Sequence, residues 1–139
     1  MAKGGGEAQR TKQAGGAGAV KLRLEWAELP IEPTNGIVDG PTWGDVEAIL
    51  RHMAKPEEPD GFVVLADAGD TMRFIQTTPT ETGMALGDGT FQVEHQAGSV
   101  KAHYVLASAD LEETVRLFQL WFENPASISA AAEWAPDPL

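Results

Sequence analysis

Residues 90–107 read TFQVEHQAGSVKAHYVLA, and this stretch decides the fold. Phe91, Val93 and His95 alternate with Gln92, Glu94 and Gln96, the two-residue period of a strand with one buried face. Tyr104 and Leu106 alternate in the same way with His103 and Val105. Gly98-Ser99 lies between the two runs, and glycine at the first central position predicts a type II′ hairpin. With Ala97 opposite Val100, Phe91 faces Leu106 and Val93 faces Tyr104 on the core side. On the other side Glu94 faces His103 and Gln96 faces Lys101, a solvated face with opposite charges in register.

Upstream, Phe62 to Ala66 (FVVLA) is apolar at every position, which predicts a central strand covered on two sides. Asp67-Ala68-Gly69-Asp70 turns the chain, and Thr71 to Thr78 (TMRFIQTT) returns beside it. Residues 79–89 read as a loop with room for a short strand at Met84 to Leu86, and Asp88-Gly89 is a turn signal. Val20, Leu22, Leu24 and Trp26 alternate with Lys21, Arg23 and Glu25, which predicts a half-buried strand. Residues 27–41 hold Pro30, Pro33, Pro41, Gly36 and Gly40 and read as loop.

Two helices complete the pattern. Thr42-Trp43-Gly44-Asp45 has the spacing of a capping box, followed by Val46, Ile49, Leu50 and Met53 on one stripe. Asp45 and Glu47 in the first turn, with Arg51 and His52 in the last, suit the helix dipole. Asp110-Leu111-Glu112-Glu113 repeats the capping-box spacing. Leu111, Val115, Phe118, Trp121 and Phe122 then form a wide apolar stripe that Asn124-Pro125 ends. Residues 126–135 hold one more helical turn, bearing Trp134. The fold class is α+β: an antiparallel β-meander of about five strands with two main helices packed on one face. Residues 1–19, rich in glycine and alanine, read as a flexible tail, and residues 20–139 as a single domain.

The charge is unevenly divided. Residues 1–19 carry +2, from Lys3, Arg10 and Lys12 against Glu7. The chain total is −11, so residues 20–139 carry −13, from 20 acids against 7 bases. Such a body repels nucleic acid and anionic membrane and attracts cationic surfaces. There is no cysteine, which excludes disulfides and thiol chemistry and fits a reducing, cytoplasmic setting. The N-terminus has no apolar run of signal-peptide length, and no stretch approaches the length of a membrane span.

Catalytic signatures are missing. No P-loop, GxSxG, HExxH, EF-hand or dinucleotide fingerprint occurs, and His52, His95 and His103 lack structural-zinc spacing. No cofactor, metal or catalytic residue is expected. His52 suits a helix C-terminus, and His95 a core boundary. Glu94 with His103 is the one pair that could orient a general base, which leaves a small enzyme as an alternative. A basic protein partner fits the charge better. The candidate contacts are Asp67 and Asp70 in the first hairpin turn and Asp88 in the following loop. Glu57, Glu58 and Asp60 lie at the other end of the Phe62–Ala66 strand. Trp26 and Trp121 follow core periodicity, whereas Trp43 and Trp134 fall outside it and are candidate interface anchors.

The order of these motifs carries a resemblance. A first helix DVEAILRHM precedes a charged turn and the strand GFVVLA. A paired strand and GDGTFQVEH follow, then another strand, the helix DLEETVRLFQLWFE and the late Trp134. Residues 41–134 in this order resemble the immunity proteins of bacterial polymorphic toxin systems, of the small α+β type that neutralises deaminase toxins acting on nucleic acid. The glycine-rich start, the strand Val20–Trp26 and the long Pro/Gly loop depart from that layout. The resemblance implies a non-enzymatic inhibitor that fills the basic substrate groove of a toxin. An adaptor or chaperone-like domain for a cationic or secreted protein shares the charge pattern and remains the other non-enzymatic reading.

Overall fold

Leu24, Trp26, Val63, Leu65, Ile75, Phe91 and Val93 occupy alternate strand positions and are all buried, and their shared face defines the core. The computed structural model describes residues 21–29, 31–53, 61–80 and 90–137. The expectations for the tail, for residues 54–60 and for residues 81–89, with the strand at 84–86, lie outside the described residues.

Seven strands form one antiparallel sheet: β1 (Leu22–Ala27), β2 (Gly36–Asp39), β3 (Phe62–Asp67), β4 (Asp70–Pro79), β5 (Phe91–Ala97), β6 (His103–Ala109) and β7 (Ala135–Pro136). Their spatial order is β2-β1-β3-β4-β5-β6-β7. Two α-helices, α1 (Trp43–His52) and α2 (Leu111–Glu123), and a 3-10 helix at Pro125–Ala130 complete the described elements. The α+β class holds, but the sheet has seven strands, not about five. β2 hides inside the Pro/Gly segment expected to be loop, where Ile37-Val38 suffices to pair with Glu25 and Leu24. β7 is an alanine-proline dipeptide held against Tyr104 and Val105, with no strand propensity of its own.

Both helices pack on the core face. α1 starts with a complete capping box: Asp45 N–H donates to Thr42 Oγ1 and Thr42 N–H donates to the Asp45 carboxylate. It buries Val46 and Leu50, with Met53 just beyond its end. α2 receives only half of its expected box. Glu113 N–H donates to Asp110 Oδ1, while the Glu113 carboxylate turns to Arg116. Leu117, Phe118 and Trp121 of α2 are fully buried. Arg51 ties the helices together by bonding to Glu47 on its own helix and to Glu112 on α2. The Trp43 ring lies 5.8 Å from Phe122, a second link between them.

Since both helices lie on one side, β3 is covered once and not twice. Val63 and Leu65 are fully buried, whereas Phe62, Val64 and Ala66 on the opposite face are half-buried.

The hairpin register also differs from the sequence expectation. Ala97 N–H donates to Ala102 O, and Ala102 N–H to Ser99 O, so four residues form the turn instead of two. His95 therefore opposes Tyr104, Val93 opposes Leu106 and Gln96 opposes His103. From Val93 to Gln96 the shift is two residues, an even number, so these side chains keep their faces, and a bulge between Phe91 and Val93 then sets Phe91 opposite Ala109 instead of Leu106.

Candidate functional site

The sheet face away from the helices carries a polar cluster centred on Glu94. Gln76 on β4, Gln92 and Glu94 on β5 and His103 on β6 share this face by strand alternation. Gln76 Nε2 donates to Glu94 Oε1 at 3.2 Å, and Gln92 Nε2 donates to Oε2 at 2.7 Å. His103 Nε2 meets Oε1 at 3.0 Å. The carboxylate thus has three partners, which is what a charge at 17% exposure requires.

His103 is 2% exposed, and both of its ring nitrogens face acceptors. Nδ1 lies 2.8 Å from Asp137 O, with Asp137 Oδ2 at 3.7 Å. A carbonyl oxygen only accepts, so Nδ1 donates to Asp137 O. With both nitrogens engaged, His103 offers none to a substrate. The cluster ties three strands and the C-terminal segment together. Gln92 was legible as the neighbour two residues before Glu94, whereas Gln76 and Asp137 have no sequence signal.

His95, on the core face, is 1% exposed, and neither ring nitrogen has a hydrogen-bond partner. Its ring stacks on Tyr104 at 5.0 Å and meets the Trp134 indole edge-on at 4.5 Å. Burial, with a smaller contribution from His103, pushes its pKa down to about 4. A neutral imidazole in an aromatic slot is the result. The next residue, Gln96, donates Nε2 to Met72 O at 3.1 Å and leaves Oε1 buried without a partner.

The candidate partner contacts fall in separate places. Asp67 and Asp70 oppose each other across the β3–β4 turn, where their Oδ1 atoms accept from Gly69 N–H and Met72 N–H. Trp43 is half-buried on the helix layer. Trp134 is half-buried against His95, with Nε1 donating to Ile128 O at 2.8 Å. Asp88 lies outside the described residues, as do Glu57, Glu58 and Asp60. The strands flanking Asp88 meet at Pro79 and Phe91, at the opposite end of the sheet from Asp67 and Asp70.

No group of three or more His, Asp or Glu side chains among the described residues is arranged to hold a metal ion. No helix among them is long and apolar enough to cross a membrane. Comparison with protein-family models, curated proteins and solved structures finds no match.

Proposed function

We propose that this chain is an immunity-type protein that binds a cognate toxin, a nucleic-acid-acting enzyme, and occludes its basic active-site groove. The observation that carries this reading is the distribution of charge. Residues 20–139 hold 20 acids against 7 bases. Arg23 is paired with Asp39, Arg51 with Glu47 and Glu112, and Arg116 with Glu113. Glu25, Glu28, Glu32, Glu123 and Glu133 are exposed and form no ion pair with a described residue. A surface of this kind suits a groove built to hold a polyanion and steers encounter with it. The small-enzyme alternative loses its main support, because His103 has no free nitrogen.

The test is to isolate the bound partner and measure association at about 50 and about 500 mM salt, together with inhibition of the partner's activity on nucleic acid. The association rate falls at least roughly tenfold over that range, while dissociation changes less. Asp67→Asn/Asp70→Asn slows association if the turn end is in contact. A salt-indifferent on-rate overturns the reading. A partner bound without loss of activity makes the chain an adaptor instead.

A further inference from the structure

The two edges of the sheet are unequal. β7 closes one side with two residues, one of them Pro136, which has no N–H to offer. β2 closes the other, and among the described residues nothing pairs with its outer side. Gly40 N–H donates to Leu22 O at 2.9 Å, which marks that position as hydrogen-bonded in the β1–β2 ladder. Antiparallel alternation then places Val38 with Leu24, and Gly36 with Trp26, in the same class. The N–H and C=O groups of Ile37 and Asp39 therefore point away from the sheet. Ile37 is also the most exposed large hydrophobic residue described, at 59%. Of the devices that blunt edge strands, Gly36-Ile37-Val38-Asp39 has shortness and one charge, Asp39, but no lysine, proline or bulge.

We propose that the outer edge of β2 is a docking edge, on which an extended cationic segment of the partner adds an eighth strand. The proposal rests on the basic-partner reading above and says where and how that partner engages. Charge selects the occupant. Asp39, 74% exposed, is already paired with Arg23, so the excess acid at this edge is Glu25, beside Ile37 on β1, with Glu28 and Glu32 in the β1–β2 connection, all exposed and without an ion pair to a described residue. A second copy of this chain would bring the same excess of acid to the same edge, which like-charge repulsion opposes. A segment with an apolar residue opposite Ile37 and a lysine or arginine two positions along, facing Asp39, satisfies backbone, packing and charge together.

The experiment uses the full chain and a synthetic peptide bearing valine and lysine at alternate positions of one face and threonine on the other. Polylysine and a proline-interrupted version of the peptide serve as controls. Binding is followed by NMR of the labelled protein. The alternating peptide protects the Ile37 and Asp39 amides from exchange at least roughly tenfold, and the proline-interrupted peptide does not. Ile37→Pro removes an outward N–H while leaving the bonds of Gly36 and Val38 to β1, and it abolishes the protection of the Asp39 amide. Ile37→Lys, which keeps the backbone intact, does the same by repelling the peptide, and thermal unfolding checks that both variants are folded. Peptide binding that ignores Ile37→Lys, or that perturbs a different surface, overturns the docking edge. Self-association that Ile37→Lys dissolves makes a second copy the occupant and overturns it too. If polylysine binds in a salt-sensitive way but β2 is untouched, the edge fails and the basic-partner reading stands. If neither cationic probe binds, the basic-partner reading itself fails.

Discussion

Glu94 and His103 are diagonal neighbours across β5 and β6, joined at 3.0 Å although neither is the residue directly opposite the other. Val105 opposes Glu94, and Gln96 opposes His103. The diagonal geometry lets one carboxylate gather a glutamine from its own strand, a glutamine from β4 and the imidazole from β6.

That geometry predicts a shared stability contribution. His103→Ala removes a partner of a half-buried carboxylate and releases Asp137 O. It should cost about 2–3 kcal/mol in denaturant unfolding. Glu94→Gln should cost less in the His103→Ala background than in the wild type, because the two side chains are coupled. Additive losses would mean that the contact contributes nothing.

His95 predicts a pH dependence. Its folded pKa is pushed down to about 4 from an ordinary 6.5. Between those values the unfolded chain binds a proton that the folded chain does not, so stability falls as pH drops through this window and levels off below it. The full loss is about 3 kcal/mol. Glu112 and Glu113 act in the same direction at lower pH. Hydrogen bonds from Arg51 and Arg116 hold their carboxyls below the ordinary 4.5, so their stabilisation is lost as pH falls below that value. His95→Phe should flatten the unfolding free energy between pH 6.5 and 4.5, and an unchanged slope would place the effect elsewhere.

Gly36 lies beneath the Trp26 indole. A Cβ at this position would come within 2.3 Å of the ring, and the ring is held by Nε1 donating to Pro33 O at 3.1 Å. Gly36→Ala should therefore destabilise by about 1–3 kcal/mol, by overpacking rather than by loss of any contact. Thermal unfolding reads it directly, and Gly44→Ala, whose Cβ would make only an ordinary 3.7 Å contact with Thr42 Oγ1, is the control.

Phe118 and Trp121 are core residues at 0% and 1% exposure. Truncation of either to alanine should cost about 3–5 kcal/mol in denaturant unfolding. A variant that keeps wild-type stability but loses a partner would reassign that face of α2.

Much of the fold was legible because periodicity survives errors of register. The hairpin of residues 90–107 kept its core face although its turn is longer than Gly98-Ser99 implied, while the opposite face, expected to be solvated, buries Gln96 and His103. Glycine at Gly98 does take a positive φ, +93°, but the chain continues through Ser99, Val100 and Lys101 before closing. α1 and α2 were plain from stripe and cap together. What the sequence hid was short or borrowed structure. β2 has four residues, the first of them Gly36, and runs straight into Gly40, and β7 is held where Asp137 N–H donates to His103 O at 2.8 Å. Trp134 looked like a free anchor because the ring it meets, His95, lies thirty-nine residues earlier. The Glu94–His103 contact was foreseen through the wrong register, and its burial, which closes it to substrate, was not.

All four tryptophans lie on the helix side of the sheet. Trp26 and Trp121 are in the core, Trp43 is against Phe122 and Trp134 is against His95. The intrinsic fluorescence of this protein is therefore a one-sided reporter. A ligand on the Glu94 face would bind in the dark, and one that covers the Trp43–Phe122 contact would shift the emission strongly. A strand added along β2 would be sensed by Trp26 alone, through Gly36. The colour and size of the change distinguish three docking modes without any label.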